Sequence, residues 1–143
     1  MIRSLLVVAF FCLFSFCQRK RDIIYCSQTL VSQNLDTLYL QVGYWGINGN
    51  NRLFVISGDT NRLYHKNDYD LERDYVFKGD FPIFIKHEGD SIFVYTYLKA
   101  LEPTIFNSQF NVKQIEIDNK QSLVLRRDES FINVDKVCKT KID

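Results

Sequence analysis

The two histidines are the first candidates for acid–base or metal chemistry in this chain. His65 and His87 are 22 positions apart, and neither belongs to an HxH or HExxH pattern. Those are the spacings that bring two imidazoles to one zinc ion. His87 lies beside a predicted tight turn, where a polar side chain is ordinarily solvated. The spacing therefore predicts no zinc site, and we assign neither histidine a catalytic role.

An alternating acidic run offers oxygen ligands instead. Every second position of the segment NDYDLERD is acidic: Asp68, Asp70, Glu72 and Asp74. On a strand these carboxylates would share one face and could converge on a calcium ion. The run begins like an EF-hand loop, but Arg73 replaces the required glycine and Gly79 the closing glutamate. The alternative is a solvated acidic loop, and we assign no metal site.

Nucleophilic catalysis and nucleic-acid binding find no support in the sequence. A Gly-x-Ser-x-Gly elbow is absent, and the four cysteines lie towards the chain ends. With 18 basic and 17 acidic residues, the chain also lacks the basic excess of a nucleic-acid-binding surface. We therefore expect no enzymatic activity, no cofactor and no nucleic-acid partner.

One tripeptide suggests a ligand carrier. Gly43-Tyr44-Trp45 resembles the Gly-x-Trp signature of lipocalins, small barrels that carry apolar ligands. In that family the motif opens the first strand, whereas here it follows a predicted strand. Arg126 would correspond to the late-strand arginine that packs on the tryptophan. The resemblance implies a calycin-like carrier whose cavity is lined by inward aromatics such as Phe93, Tyr95 and Tyr97. The alternative is a tryptophan that anchors a turn.

Short strands must position all of these residues. The stretch Phe81 to Lys99 predicts a central hairpin, because apolar residues alternate on both sides of a turn at Gly89. Bulky side chains on both faces of its second strand predict cover on both sides. A second hairpin is predicted from Val112 to Asp118 and from Ser122 to Arg126. The other predicted strands cover residues 23–31, 35–44, 53–56 and 74–78, with a long connection over 100–111.

The spacing of these strands predicts the fold class. Strands recur at intervals of about 8 to 12 residues, and helical periodicity is confined to a turn or two near 98–101 or 130–137. We expect an all-β fold, a small antiparallel sandwich or a partly open barrel of about seven to eight strands.

Residues 1–17 are typical of an export signal. Arg3 precedes an apolar run from Leu5 to Phe16, which is shorter than the roughly 20 residues that span a bilayer. Three outcomes stay open: cleavage after Cys17, lipidation of Cys17 or an uncleaved membrane anchor. The sequence resembles the bacterial lipobox loosely, since Phe16 occupies the place of a small residue. Residues 18–22 form a predicted polar tether, and residues 23–143 a single β domain.

Export implies an oxidising compartment: the periplasm, outer membrane or cell surface of a bacterium, or the medium after secretion. Cys12 and Cys17 belong to the signal segment, which leaves Cys26 and Cys138 in the domain. We predict a disulfide between these two. The alternative is two unpaired, buried thiols.

The function expected from these observations is a non-catalytic binding module, an inhibitor or immunity-type protein tethered to the envelope. Its partner would be another protein, and the membrane would be reached through the N-terminal segment. Small β proteins bind through loops and edges, which selects residues 44–51 and 64–75. The candidate binding residues are Tyr44, Trp45, Asn48, Asn50, Tyr64 and Tyr69.

Overall fold

A computed structural model of the protein describes residues 24–45, 51–59 and 69–137. The described chain is mostly β and forms two sheets of four strands, which are not closed into a barrel. The predicted all-β class is confirmed at this level. Residues 1–23, which include the predicted export signal and its lipidation site Cys17, lie outside the described ranges. No helix among the described residues is long and apolar enough to cross a bilayer.

The first sheet is an antiparallel meander in chain order. It contains β1 (Ile24–Val31), β2 (Thr37–Trp45), β3 (Asn51–Ser57) and β4 (Tyr75–Lys78). Alternation sets its inner face: Leu38, Leu40 and Val42 of β2 are buried in the main core, as the period-two pattern predicts. Leu40 lies opposite Ile56 of β3, so apolar residues meet across the strands.

The second sheet is built around the predicted central hairpin. Its strands are β5 (Ile83–Glu88), β6 (Ser91–Thr96), β7 (Asn111–Glu116) and β8 (Ile132–Asn133), in the spatial order β7-β6-β5-β8. β5 and β6 pair antiparallel across a turn in which Gly89 has φ +60°, a value that favours glycine. Both hairpin strands are central, as predicted. We expected an antiparallel sandwich, but β7 pairs parallel to β6, so this expectation is wrong for one strand pair.

The predicted second hairpin is wrong. Ser122 to Arg126 does not form a strand, because helix α1 runs over Asn119–Leu125. Asp118 caps this helix: its carboxylate accepts from the Gln121 N–H at 2.7 Å, and the Gln121 side chain accepts from the Asp118 N–H at 2.9 Å. This reciprocal capping box satisfies two backbone donors at the helix start. A second, four-residue helix, α2 (Val134–Val137), falls within the predicted range 130–137.

The two sheets pack face to face around one apolar core. Residues that are fully buried come from both sheets and include Phe54, Ile56, Ile83, Ile85, Ile92 and Val94. Burying each such side chain stabilises the fold by about 1.5–3 kcal/mol. β6 alternates between buried and partly exposed residues, so it is not covered equally on both faces. β3, in contrast, is buried on both faces, because Leu53 and Val55 form a second, smaller cluster with Val76 and Tyr69.

The long connection between β6 and β7 is tied to the β1–β2 turn by one carboxylate. Asp36 accepts from the Ser108 hydroxyl and from the Gln109 N–H, both at 2.7 Å. These bonds, with that from Ser108 foremost, lower the pKa of Asp36. A charged acceptor therefore holds together two segments that are far apart in sequence.

Candidate binding surface

The predicted metal candidates are not gathered into a site among the residues that the structure covers. His87 is exposed, and its Nε2 lies 2.6 Å from the Gly89 carbonyl oxygen of the same hairpin turn. His65 and Asp68 lie outside the described ranges. Within those ranges, no group of three or more histidine, cysteine, aspartate or glutamate side chains could hold a metal ion.

The described part of the acidic run is a turn, so its carboxylates do not share a strand face. The Asp70 carboxylate accepts from the Glu72 N–H, and the Asp74 carboxylate accepts from the Asp70 N–H, both at 2.9 Å. Asp74 is buried and precedes β4 directly. These oxygens close the local turn that leads into the strand.

The predicted binding residues that can be placed lie on two different surfaces. Tyr44 packs against the main core on the inner face of the first sheet, and Tyr69 packs on the outer cluster of that sheet. Trp45 ends β2 with its backbone paired to Asn51. The other three candidates, Asn48, Asn50 and Tyr64, lie outside the described residues. The structure therefore does not bring Tyr44 and Tyr69 together.

Tyr44 belongs to a buried polar cluster that closes one end of the sandwich. The Arg52 side chain is only 1% exposed, and its guanidinium bonds to the Asp135 carboxylate and the Phe81 carbonyl oxygen. It thereby joins β3 to the start of the second sheet and to α2. Burial raises the pKa of Tyr44 and the nearby Asp135 carboxylate adds to this, while the hydrogen-bonded Arg52 opposes it. The Arg52 Nε is buried and bonds to no described residue. The cluster's contacts are structural, since they tie three elements together.

A polar groove lies at the other end of β3. Its volume is about 340 Å³, and it is lined by Tyr39, Ser57, Gly58, Asp59, Arg73, Asp74 and Asn107. Gly58 allows a close approach, because a Cβ there would lie 2.6 Å from the Asn107 carbonyl oxygen. The Ser57 hydroxyl accepts from the Asp59 N–H at 3.0 Å. No histidine is among the described residues that line this groove, so those residues supply no imidazole base to its serine.

The outer face of the second sheet carries a cluster of rings and lysines. Phe93 and Tyr95 of β6 project outward, because the alternate residues Ile92 and Val94 fill the core. The Phe131 ring packs edge-on against Tyr95, with centroids 5.2 Å apart and an interplanar angle of 82°. All three rings are partly exposed. We call this surface the aromatic face and define it by Phe93, Tyr95 and Phe131 together with Lys86 and Lys113.

Two lysines flank these rings in register. Lys86 of β5 and Lys113 of β7 lie opposite Phe93 on either side of β6. The Lys113 Nζ lies 5.3 Å from the centroid of the Phe93 ring, and the Lys86 Nζ 5.9 Å from that of Phe131. Such contacts are attractive because the face of an aromatic ring has a negative electrostatic potential.

The two lysines differ in their acidic neighbours. Lys86 pairs with Glu88 at 2.6 Å, and the hydrogen bond to that carboxylate raises the pKa of Lys86. No acidic side chain among the described residues pairs with Lys113 within 4.0 Å. Among the described residues, the aromatic face therefore carries one lysine that is paired with a carboxylate and one that is not.

Comparison with known proteins gives no relative from which a function could be transferred: no protein-family model matches the sequence, and no curated protein or solved structure matches it significantly.

Two details implied by the lipocalin resemblance are wrong. Phe93 and Tyr95 do not line an inward cavity but lie on the outer face of their sheet, and the hydroxyl of Tyr97 donates to Asn119 of α1 at 2.8 Å. Arg126 is the exposed C-cap of α1 and not a late-strand residue. The sequence did show the alternation of Phe93 and Tyr95, but Lys113 and Phe131 were missed because pairing between distant segments brings them there.

Proposed function

We propose that the protein is an exported, non-catalytic binding module that engages a partner protein through its aromatic face. The observation that carries this proposal is the set of three partly exposed rings on one sheet face, flanked by two lysines. Aromatic side chains and arginine are enriched at the centres of protein interfaces. Aromatic rings bury a large contact area at a low entropic cost, because they have few rotatable bonds.

The rigidity of this surface favours binding. Phe93 and Tyr95 stand on a central strand, and Phe131 is held by its edge-on contact with Tyr95. Since these rings are already positioned, binding would not require a loop of this protein to become ordered, and the entropic cost of such ordering is avoided. The apolar area that remains exposed is then available to drive association.

The test compares two tyrosines on different sheets. Tyr95→Ala removes a ring from the aromatic face, and Tyr39→Ala makes the same change on β2, on the outer face of the first sheet. The tagged mature chain and both variants would be used to capture proteins from the native envelope. The affinity of any captured protein would then be measured with each variant after its folding is verified by thermal unfolding.

We expect Tyr95→Ala to lower the affinity for the captured partner by about thirtyfold or more, which corresponds to the roughly 2 kcal/mol of an interface hot spot. Tyr39→Ala should bind like the wild type. Equal affinities of both folded variants, confirmed with Phe93→Ala, would refute the assignment of the aromatic face.

The proposal includes a disulfide between Cys26 and Cys138. Cys26 is buried on β1, and Cys138 lies outside the described residues. What supports the pairing is the position of α2, which contacts β1 and ends at Val137, one residue before Cys138. Helix α2, which ends directly before Cys138, thus approaches the strand that carries Cys26.

A further inference from the structure

The outer edge of β7 offers backbone groups that could pair with another strand. The N–H groups of Asn111 and Ile117 donate to the Asp90 and Thr96 carbonyl oxygens, on the side of β6. In a parallel pair, alternate residues direct both backbone groups to the same neighbour. The N–H and C=O groups of Val112, Gln114 and Glu116 therefore point away from β6, and no described residue bonds to them.

The side chains along this edge select the chemistry of an added strand. Lys113 and Ile115 lie on the outer face, in register with Phe93 and Tyr95. Glu116 and Gln114 belong to the alternate positions and face the other side of the sheet, where the Gln114 amide bonds to the Ala100 backbone. The outer side of the edge thus presents one apolar residue beside one cation that has no ion-pair partner in the described part of the chain.

We propose that the edge of β7 accepts an extended, acidic segment of a partner protein as an additional strand. Backbone bonds to Val112, Gln114 and Glu116 would supply affinity, as in other cases of strand addition. A carboxylate opposite Lys113 and an apolar side chain opposite Ile115 would supply selectivity. This inference goes beyond the proposed function, because it names a backbone edge and the charge of the segment that it receives.

A second copy of this chain fits the edge less well. If β7 paired with β7 of another copy, the outer side would offer Lys113 only the side chains of Asn111, Lys113 and Ile115. None of these is acidic, so self-pairing supplies no carboxylate to Lys113. Charge complementarity therefore selects a partner of different sequence.

The experiment measures hydrogen exchange of single backbone amides in the full exported chain by NMR. The probe is an eight-residue peptide in which glutamate and valine take turns at every second position, with threonine between them, so that one face of the strand carries both. The control peptide carries lysine in place of glutamate. At ten times its Kd, the glutamate peptide should slow exchange of the Val112, Gln114 and Glu116 amides about tenfold. The lysine peptide should give little protection.

Two charge reversals complete the design. Lys113→Glu should lower the affinity for the glutamate peptide by roughly fivefold, which corresponds to the upper range for a cross-strand ion pair. The same variant should bind the lysine peptide more tightly. Lys136→Glu makes the same change on α2, which contacts the opposite edge of the sheet, and should leave binding unchanged.

No protection of these three amides by either peptide would overturn strand addition, and Lys113 would then serve only to guard the edge against aggregation. Equal protection by both peptides would overturn the selection for acidic segments. Capture by the aromatic face is measured separately with Tyr95→Ala, so either proposal can fail while the other stands.

Discussion

Removal of the Asp135 carboxylate should destabilise the domain more than its exposed position suggests. Asp135 is 35% exposed, but its partner Arg52 is 1% exposed and lies at the end of the core. Asp135→Asn keeps the shape of the side chain and removes its charge. The guanidinium then stays buried without a counter-ion. Water reaches position 135 but not the Arg52 side chain, so solvent does not compensate for the lost carboxylate.

The magnitude follows from this asymmetry. Breaking a fully buried ion pair by removing one partner costs about 3–5 kcal/mol. The partial exposure of Asp135 reduces that figure, and the amide oxygen of asparagine can still accept one bond. We therefore expect a loss of about 2–3 kcal/mol in the free energy of unfolding. For a domain of this size, that corresponds to a fall in Tm of roughly 10 °C.

The assay is urea unfolding of the wild type, Asp135→Asn, Arg52→Met and the double variant. In the Arg52→Met background, Asp135→Asn should cost little, because the buried charge is already gone. The coupling energy of this cycle should be about 2 kcal/mol. Glu88→Gln is the matched control, since it removes the carboxylate of the exposed Lys86 pair and should leave stability unchanged within error.

A loss below about 0.5 kcal/mol for Asp135→Asn, the range typical of surface substitutions, would refute this reasoning. An equal loss with and without Arg52 would refute it as well, since the cost would then not depend on the pair. If Arg52→Met does not fold, 0.5 M salt provides a second test with Asp135→Asn alone. A buried pair is poorly screened, so salt should not reduce the difference from wild type.

Three further predictions concern the core, the pH dependence and the covalent frame. Val94 is fully buried on a central strand, so Val94→Asp should abolish cooperative thermal unfolding, and a stable soluble variant would contradict the central position of β6. The pKa of Asp36 is lowered by its bonds to Ser108 and the following N–H, so its contribution is present above the unfolded pKa of about 3.9 and is lost as pH falls through the folded pKa. Asp36→Asn should therefore cost about 1 kcal/mol at pH 7 in urea unfolding and progressively less as the pH falls through the folded pKa of Asp36, and a constant difference would contradict this. A disulfide between Cys26 and Cys138 would close a loop of about 110 residues and stabilise the protein by roughly 4–5 kcal/mol, whereas titration of free thiols at these two positions would exclude it.

The local sequence was sufficient to locate most of the strands. Leu38, Leu40 and Val42 alternate with more polar residues, and this pattern alone predicts a strand with one buried face. Gly89 marked the central hairpin correctly because its positive φ is a local requirement. Such features depend on residues within a few positions of each other, so a single sequence contains them.

The error at residues 122–126 had a local signal that was overlooked. The segment SLVLR suits a strand or a short helix by composition. The capping box of Asp118 and Gln121 favours the helix, because it satisfies two backbone donors at the helix start. The three-residue spacing of this motif is visible in the sequence. The parallel pairing of β7 has no comparable signal, since it depends on the path of the connection from 97 to 110.

The sequence by itself determined the alternation of Phe93 and Tyr95, but only the tertiary structure decided which way they face. A period of two places residues on a common face without saying whether that face turns inward. The second sheet packs Ile92 and Val94 against the first sheet, which leaves the rings outside beside Lys86 and Lys113. The Arg52–Asp135 pair likewise joins residues 83 positions apart. Contacts of this kind form because the sheets stack, and no local pattern records which distant charges that stacking brings together.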